Sequence, residues 1–163
     1  MRALLPAFTA GLLAAAMMAP APAQATDVSV LAGGSITSGG RWTTTAFANV
    51  SGTTYEWKHL ELQPVGTLGW IKGRDTPHDN LDHNIYVAGA GVRLPHLWRN
   101  AFFSFQVGVA GGRTDAISSS EQFISSLGWQ GEHWVFMVRH ISNGHFFGGK
   151  NLGETMALVG VTF

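Results

Sequence analysis

The sequence predicts an all-β protein, an eight-stranded antiparallel transmembrane β-barrel. Charged residues make up 12% of the chain, against about 25% in an average protein. Glycine is abundant, with 21 residues, and segments of about ten residues alternate between apolar and polar side chains, as barrel strands do. Beyond the N-terminus no apolar stretch is long enough for a membrane helix. A closed barrel is the other structure that pairs all its backbone groups within a bilayer.

The N-terminal segment has the features of a secretory signal peptide. A single arginine is followed by an apolar, uncharged run over residues 3–19, and a small-x-small cleavage pattern ends at Ala25. We expect residues 1–25 to be the signal peptide and residues 26–163 to form the barrel domain. An uncleaved membrane helix is the alternative, and the run is short for one.

Composition also limits the chemistry of the protein. The chain has no cysteine and a formal net charge of zero at pH 7. Disulfides, thiol nucleophiles and thiolate metal sites are therefore excluded, and nothing indicates a nucleic-acid partner. The polar stretch 73–82, with Asp75, His78 and Asp79, contains groups that can bind divalent cations, but its spacing matches no standard site. We predict neither a metal nor another cofactor.

Eight strands follow one another along the chain. The alternation is clearest in the fifth strand, where Phe103, Phe105 and Val107 share one face. That face is predicted to meet lipid, and the small and polar residues between them to fill the narrow interior of a small barrel. The predicted strands are 27–36, 42–51, 56–72, 83–94, 100–113, 121–131, 132–142 and 153–163.

The strand order predicts which links lie on which side of the membrane. If both chain ends are periplasmic, the links after the even strands face the periplasm and those after the odd strands face outward. Outer links of barrels are longer than periplasmic turns. The predicted outer links are 37–41, 73–82, 114–120 and 143–152, and the predicted periplasmic links are 51–55, 95–99 and 130–132.

The candidate catalytic pair lies at the outer end of the seventh strand, where His140 and Ser142 are two residues apart. Residues at this spacing project from the same face of a strand, here the face predicted to meet lipid. A serine hydroxyl becomes a nucleophile beside a base, and histidine titrates in the right range. The pair would lie at the level of the ester bonds of outer-leaflet lipids. The same pattern is also compatible with polar rim residues that have no catalytic role.

The run Arg139-His140-Ile141-Ser142-Asn143, followed by Asn151 and Gly153, resembles the lipid A 3-O-deacylase (PagL-type) family. Members are eight-stranded barrels of the Gram-negative outer membrane. They remove the ester-linked acyl chain at position 3 of lipid A. The resemblance implies the same fold and activity for this chain, with the active site on the outer-leaflet side.

The resemblance also implies roles for individual residues. Ser142 would be the nucleophile, His140 the general base, and a downstream acid would orient the histidine, for which Glu154 is the default. The segment 143–151 would supply oxyanion donors, which commonly lower a barrier by several kcal/mol. The candidate donors are Asn143, Gly144 and Asn151.

Glu154 departs from the family pattern. It directly follows Gly153, one residue closer to Asn151 than we expect, and counting back from Phe163 it falls on the inward face. One residue of slip exchanges the faces of a strand. A bulge at Gly153 would restore the aim of Glu154; otherwise a Ser–His dyad operates, or Glu154 is structural.

The expected partner is lipid A within lipopolysaccharide, in a membrane, and the sequence leaves a homodimer open. An outer-membrane phospholipase would share the Ser/His chemistry and differ in its head-group contacts. A non-enzymatic barrel, used for adhesion or as a structural protein, is a third reading. Arginine and lysine suit the phosphates of lipid A, although solvated strand-end charge accounts for them equally well. The cations near predicted outer strand ends are Arg41, Lys72, Arg74, Arg113 and Lys150.

Overall fold

The structure is a computed structural model that describes residues 27–144, 146 and 150–163. The predicted signal peptide lies outside these residues. None of the described residues form a helix long and apolar enough to cross a membrane. The strands are β1 (Asp27–Ile36), β2 (Trp42–Ser51), β3 (Tyr55–Trp57), β4 (Leu60–Ile71), β5 (Ile85–Trp98), β6 (Ala101–Gly111), β7 (Glu121–Gln130), β8 (Trp134–Ser142) and β9 (Glu154–Thr162).

The sheet closes on itself. Consecutive strands from β4 to β9 pair antiparallel, β9 pairs with β1, β1 with β2, and β2 with β4. The short β3 pairs with the first residues of β4 and extends that strand as a hairpin. These pairings confirm the predicted eight-stranded antiparallel β-barrel. Closure leaves no open sheet edge in the barrel wall.

Two element boundaries differ from the prediction. The expected third strand is interrupted by a turn at Lys58, which has a positive φ of 59°, so β3 and β4 are separate strands. The predicted link over 95–99 is wrong, because β5 continues to Trp98 after a register irregularity that follows Leu94. The chain instead reverses at 99–100, where Arg99 adopts a φ of 55°.

The interior holds both apolar and polar side chains. Side chains alternate between the two sides of the wall: on β6, Ser104 and Gln106 are buried, whereas Phe105 and Val107 are exposed. We call the end that carries links 37–41, 72–84, 112–120 and 143–153 the loop end, and the opposite end the turn end. The apolar core near the loop end includes Leu31, Phe47, Ile71, Ile85, Ile124, Ile141 and Met156.

A buried arginine organises the polar part of the interior. Arg139 is 1% exposed, and its Nε donates to Ser126 Oγ at 3.0 Å. Its Nη2 donates to Asn49 Oδ1 at 3.1 Å, and its guanidinium lies 4.7 Å from the ring centroid of Phe47. Thr67 Oγ1 donates to the same Asn49 oxygen at 2.9 Å. This network links β8 to β2, β4 and β7 through the inside of the barrel.

The loops close the mouth at the loop end. Leu81, Ala116 and Ile117 are almost completely buried there. The amide of Leu152 donates to Asp115 O and the amide of Gly153 to Ala116 O, both at 3.0 Å. The link 112–120 therefore holds the chain that leads into β9, the strand beside the candidate site.

Tight packing against Phe47 generates a testable prediction. A Cβ added at Gly69 would lie 1.9 Å from Phe47 Cε1, and Phe47 is itself enclosed. Gly69→Ala should lower the free energy of unfolding by about 1–3 kcal/mol, because over-packing forces side chains off their rotamers. Urea unfolding of the detergent-folded protein measures the change.

The matched control is Gly66→Ala on the same strand. The nearest atom to a Cβ at Gly66 is a backbone oxygen 3.9 Å away, so its stability should change by less than about 0.5 kcal/mol. Equal unfolding midpoints for the two variants would contradict the packing described here.

Candidate active site

His140 and Ser142 both project from the outer wall of β8, as their spacing predicts. His140 is exposed, and Ser142 is half-buried at the last position of the strand. In the register, His140 lies opposite Ser125 on β7 and opposite Thr155 on β9. Directly opposed residues have Cβ atoms about 5 Å apart. His140, Ser142, Ser125 and Thr155 thus form one group, which we call the outer polar patch, on a wall built mostly of apolar and small side chains.

A hydroxyl group holds the His140 ring. His140 Nδ1 lies 2.9 Å from Thr155 Oγ1. In the tautomer with the proton on Nδ1, the ring donates to Thr155 and Nε2 keeps its lone pair, which is the arrangement a general base requires. The hydrogen bond therefore fixes an orientation for the ring; because a threonine hydroxyl can donate or accept, the bond is compatible with this tautomer but does not select it.

Gly153 leaves room for the His140 ring beside β9. A Cβ at Gly153 would lie 2.8 Å from His140 Cε1 and 3.2 Å from Nε2. Gly153 also has a φ of +67°, which glycine adopts without strain. A side chain at this position would push the ring away from β9, so the sequence needs glycine here on two counts.

Ser142 and His140 are not hydrogen-bonded to each other among the contacts of the described residues. Two residues along a strand span about 7 Å, a gap that side-chain rotation can close. Catalytic hydrogen bonds are often long before substrate binds. His140 and Ser142 therefore share one face of β8 at a separation that a change of rotamer could bridge.

Glu154 does not approach His140. It is 3% exposed and faces the interior, where Arg74 Nη2 donates to Glu154 Oε1 at 2.8 Å and Ser35 Oγ donates to Oε2. The register Ile141↔Glu154 and His140↔Thr155 is regular, so no bulge turns the carboxylate outward. The expectation that Glu154 orients the histidine is therefore corrected: the residue beside His140 on the outer wall is Thr155, and Glu154 joins β9 to β1 and to the link 72–84.

The three candidate oxyanion donors lie in different environments. Asn143 is fully buried, and its Nδ2 donates to Ser119 Oγ at 3.0 Å. The inward alternation of β8 carries this side chain away from Ser142, so its expected role as an oxyanion donor is not supported. Gly144 is exposed with a φ of +61°. Asn151 is half-buried, and its Oδ1 has no hydrogen-bond partner among the described residues.

Aromatic rings adjoin Ser142 towards β7 and β6. Phe123 lies opposite Ser142 in the register. The Phe123 ring stacks on Phe105 and meets Phe146 edge-on, with both centroid distances 6.0 Å. These rings give the serine an apolar neighbour on the side away from Thr155.

An open groove lies on the outer wall below the outer polar patch. Its volume is about 600 Å³, and nearly all of its lining is apolar. Val138 and Ala157, the next outward residues below His140 and Thr155, belong to the lining, as do Leu127, Trp129 and Phe136. The groove therefore starts at the patch and runs towards the turn end over β7, β8 and β9.

Ion pairs tie the loops together beside the patch. Lys150 Nζ donates to Asp79 Oδ1 at 2.6 Å and to Asp115 Oδ2 at 3.0 Å. Hydrogen bonds to Asp79 and Asp115 raise the pKa of Lys150. The hydrogen bond from Lys150, followed by that from the Asn80 amide, lowers the pKa of Asp115. Three loops are thus joined through one lysine.

Acidic side chains of the polar stretch 73–82 have other contacts. Asp79 pairs with Lys150, and Asp82 contacts His83 at 2.6 Å. Over residues 27–144, 146 and 150–163, no group of three histidine, cysteine, aspartate or glutamate side chains converges on a common point.

Two members of the outer polar patch, Thr155 and Ser125, were not among the predicted site residues. Thr155 could have been found by counting outward positions back from Phe163, which gives 161, 159, 157 and 155. Ser125 interrupts an outward series that otherwise contains Phe123, Leu127 and Trp129. A polar residue in an apolar stripe was the available signal.

Comparisons of the chain with protein-family models, with curated proteins and with solved structures give no match. The assignment of the site rests on the residues and contacts above.

The ion pairs predict a pH-dependent loop. Asp115 has a lowered pKa, so its ion pair with Lys150 stabilises the loop fully above the ordinary aspartate pKa of about 3.9. That stabilisation is lost as the pH falls through the lowered pKa. Amide exchange of Leu152 and Gly153, corrected for the intrinsic pH dependence of exchange, should show constant protection near neutral pH and reduced protection in acid.

Lys150→Met should lower the exchange protection of the Leu152 and Gly153 amides already at pH 7. Acidification should then cause little further loss of protection in this variant. Lys72→Met is the control, because Lys72 is exposed and makes no ion pair within the described residues. Unchanged protection in Lys150→Met would show that the ion pairs do not hold the loop.

Proposed function

We propose that the protein is an outer-membrane serine esterase that removes an ester-linked acyl chain from lipid A, with Ser142 as nucleophile and His140 as base. The observation that carries the proposal is the His140–Thr155 hydrogen bond. With the Nδ1 proton donated to Thr155, His140 Nε2 would be available to take a proton from Ser142 on the same wall. A purely structural barrel has no need of a histidine held in this way on a wall that is otherwise mostly apolar.

The outer wall supports membrane insertion. The wall strands carry exposed apolar side chains such as Leu68, Val107 and Val138. Exposed aromatic residues lie at both ends of the wall, where the interfaces of a bilayer would be. Those at the loop end are Trp42 and Tyr86, and those at the turn end are Tyr55, Trp57, Trp98, Trp129, Trp134 and Phe163.

In the proposed mechanism Ser142 Oγ attacks the ester carbonyl while its proton passes to His140 Nε2. Thr155 Oγ1 accepts from Nδ1–H and keeps the ring in position. The tetrahedral intermediate collapses when His140 returns the proton to the departing sugar hydroxyl, which leaves an acyl-Ser142 ester. Water, activated by His140, then releases the fatty acid. The Gly144 amide, exposed two residues after Ser142, and Asn151 are the proposed oxyanion donors.

The surroundings of the patch favour a lipid with long acyl chains and phosphates. The apolar groove below Ser142 would hold the acyl chain beside the reacting ester. Arg41, Lys72 and Arg113 at the loop end are exposed and make no ion pair within the described residues, so they are available to phosphates. Arg74 and Lys150 are engaged with Glu154, Asp79 and Asp115. The choice of lipid A, and of its position 3, comes from the family resemblance.

Mass spectrometry of lipid A tests the proposal. Lipid A incubated with the detergent-folded protein should lose one ester-linked hydroxyacyl chain. Ser142→Ala should lose the activity by a factor of about 10⁴ or more, since the nucleophile is removed. Ser38→Ala, an exposed loop serine, is the control and should act as wild type. Release of fatty acid from phospholipid but not from lipid A would show that the substrate is phospholipid and not lipid A. If the folded protein hydrolysed neither lipid, the esterase proposal would be contradicted.

A second pair of variants separates Thr155 from Glu154. Thr155→Val keeps the shape but loses the hydrogen bond to His140, and kcat should fall about tenfold for a bond of about 1.4 kcal/mol. Glu154→Gln breaks the buried pair with Arg74, so it should lower the melting temperature while kcat stays within about threefold of wild type at a temperature where the variant is folded. If kcat fell in Glu154→Gln and stayed near wild type in Thr155→Val, Glu154 would be the acid that orients His140.

A further inference from the structure

A second cavity opens at the turn end of the barrel, remote from the outer polar patch. Its volume is about 460 Å³. Arg93 and Phe102 form part of its inner wall, Gln130 lies beside them, and Asp27 and Glu132 also line it. A void of only about 10 Å³, with Arg93, Gln130 and Arg139 in its lining, lies deeper in the barrel.

Arg93 faces this cavity and makes no side-chain hydrogen bond to any residue that the structure describes. It is 8% exposed, and its guanidinium lies 3.7 Å from the ring centroid of Phe102. Its Nε is buried and makes no hydrogen bond, and within the described residues no carboxylate lies within 4.0 Å of the guanidinium. A buried guanidinium stays charged and is costly without an anionic partner. The side-chain oxygen of Gln130 is likewise buried without a partner.

The other buried charges do not neutralise Arg93. The buried carboxylate of Glu154 is paired with Arg74. Arg139, deeper in the interior, has hydrogen bonds to Ser126 and Asn49 but no acid within 4.0 Å among the described residues. Within the described residues, neither guanidinium has a contacting carboxylate, although Asp27 attracts Arg93 over a longer distance.

We propose that the turn-end cavity is a binding site for a small carboxylate, held by Arg93. The planar guanidinium matches a carboxylate, and its stacking on Phe102 fixes its plane. Asp27 and Glu132 also line the cavity, and their repulsion of an anion is weaker for a singly charged carboxylate than for a doubly charged phosphate. The assignment is independent of the esterase proposal, because the cavity and the outer polar patch lie at opposite ends of the barrel.

Thermal unfolding of the detergent-folded full chain in sodium acetate, sodium phosphate and sodium chloride at matched ionic strength tests the site. Acetate should raise the melting temperature saturably by about 3 °C or more relative to chloride. Arg93→Met should abolish the acetate-specific rise. Arg113→Met, which removes an exposed arginine at the loop end, should respond like wild type.

Saturation-transfer NMR on the methyl protons of acetate gives a second readout that does not depend on melting. Transfer should be seen with wild type and lost with Arg93→Met, or with Arg93→Lys if the methionine variant does not fold, because lysine lacks the planar fork. A non-saturating rise shared by all salts and variants, or absence of transfer to wild type, would overturn the site. A larger response to phosphate than to acetate would overturn the carboxylate assignment.

Discussion

The pairing of β1 with both β2 and β9 closes the sheet, and the other features of the molecule depend on that closure. Once the wall has an inside and an outside, every strand residue is assigned to one of them by its parity. In β8 this parity carries Arg139 and Ile141 inward and His140 and Ser142 outward. A hydroxyl and an imidazole are thereby brought side by side on the surface that would meet lipid.

The same constraint explains why the carboxylate beside the site is unavailable to it. Antiparallel register places His140 opposite Thr155 and Ile141 opposite Glu154, so the inner residue of β9 pairs with the inner residue of β8. Glu154 serves instead as the counter-ion of Arg74 inside the barrel at its loop end. A hydroxyl in place of a carboxylate gives His140 its orientation without a negative charge on the apolar wall, where an ionised group is costly.

Much of the fold could be predicted from the sequence, because period-two alternation is a local property and eight alternating segments are countable. The turn at Lys58 could not be found, since neither Lys58 nor His59 is a typical turn residue. Continuation of β5 through Pro95 was also hidden, because proline lacks an amide donor and is expected to end a strand. Irregular pairing after Leu94 accommodates it.

For the site, spacing alone predicts the shared face of His140 and Ser142. The partners of His140 require the register between strands, which depends on loop lengths that composition does not fix. The outward position of Thr155 could be predicted by counting alternate residues back from Phe163. The environment of Arg93 could not, because it depends on closure of the whole barrel. The alternation of β8, continued by one residue, predicts that the Asn143 side chain points inward. The Asn-Gly sequence is also typical of a loop, in which such alternation is not expected.

The most direct test of the account is the reactivity of Ser142 itself. A serine activated by a neighbouring base reacts with a fluorophosphonate, and peptide mass spectrometry locates the adduct. The account predicts an adduct on Ser142 in the detergent-folded protein, and its loss both in His140→Gln and after denaturation. An unmodified Ser142 in the folded protein, or equal modification in His140→Gln, would contradict the assignment of His140 and Ser142 as base and nucleophile.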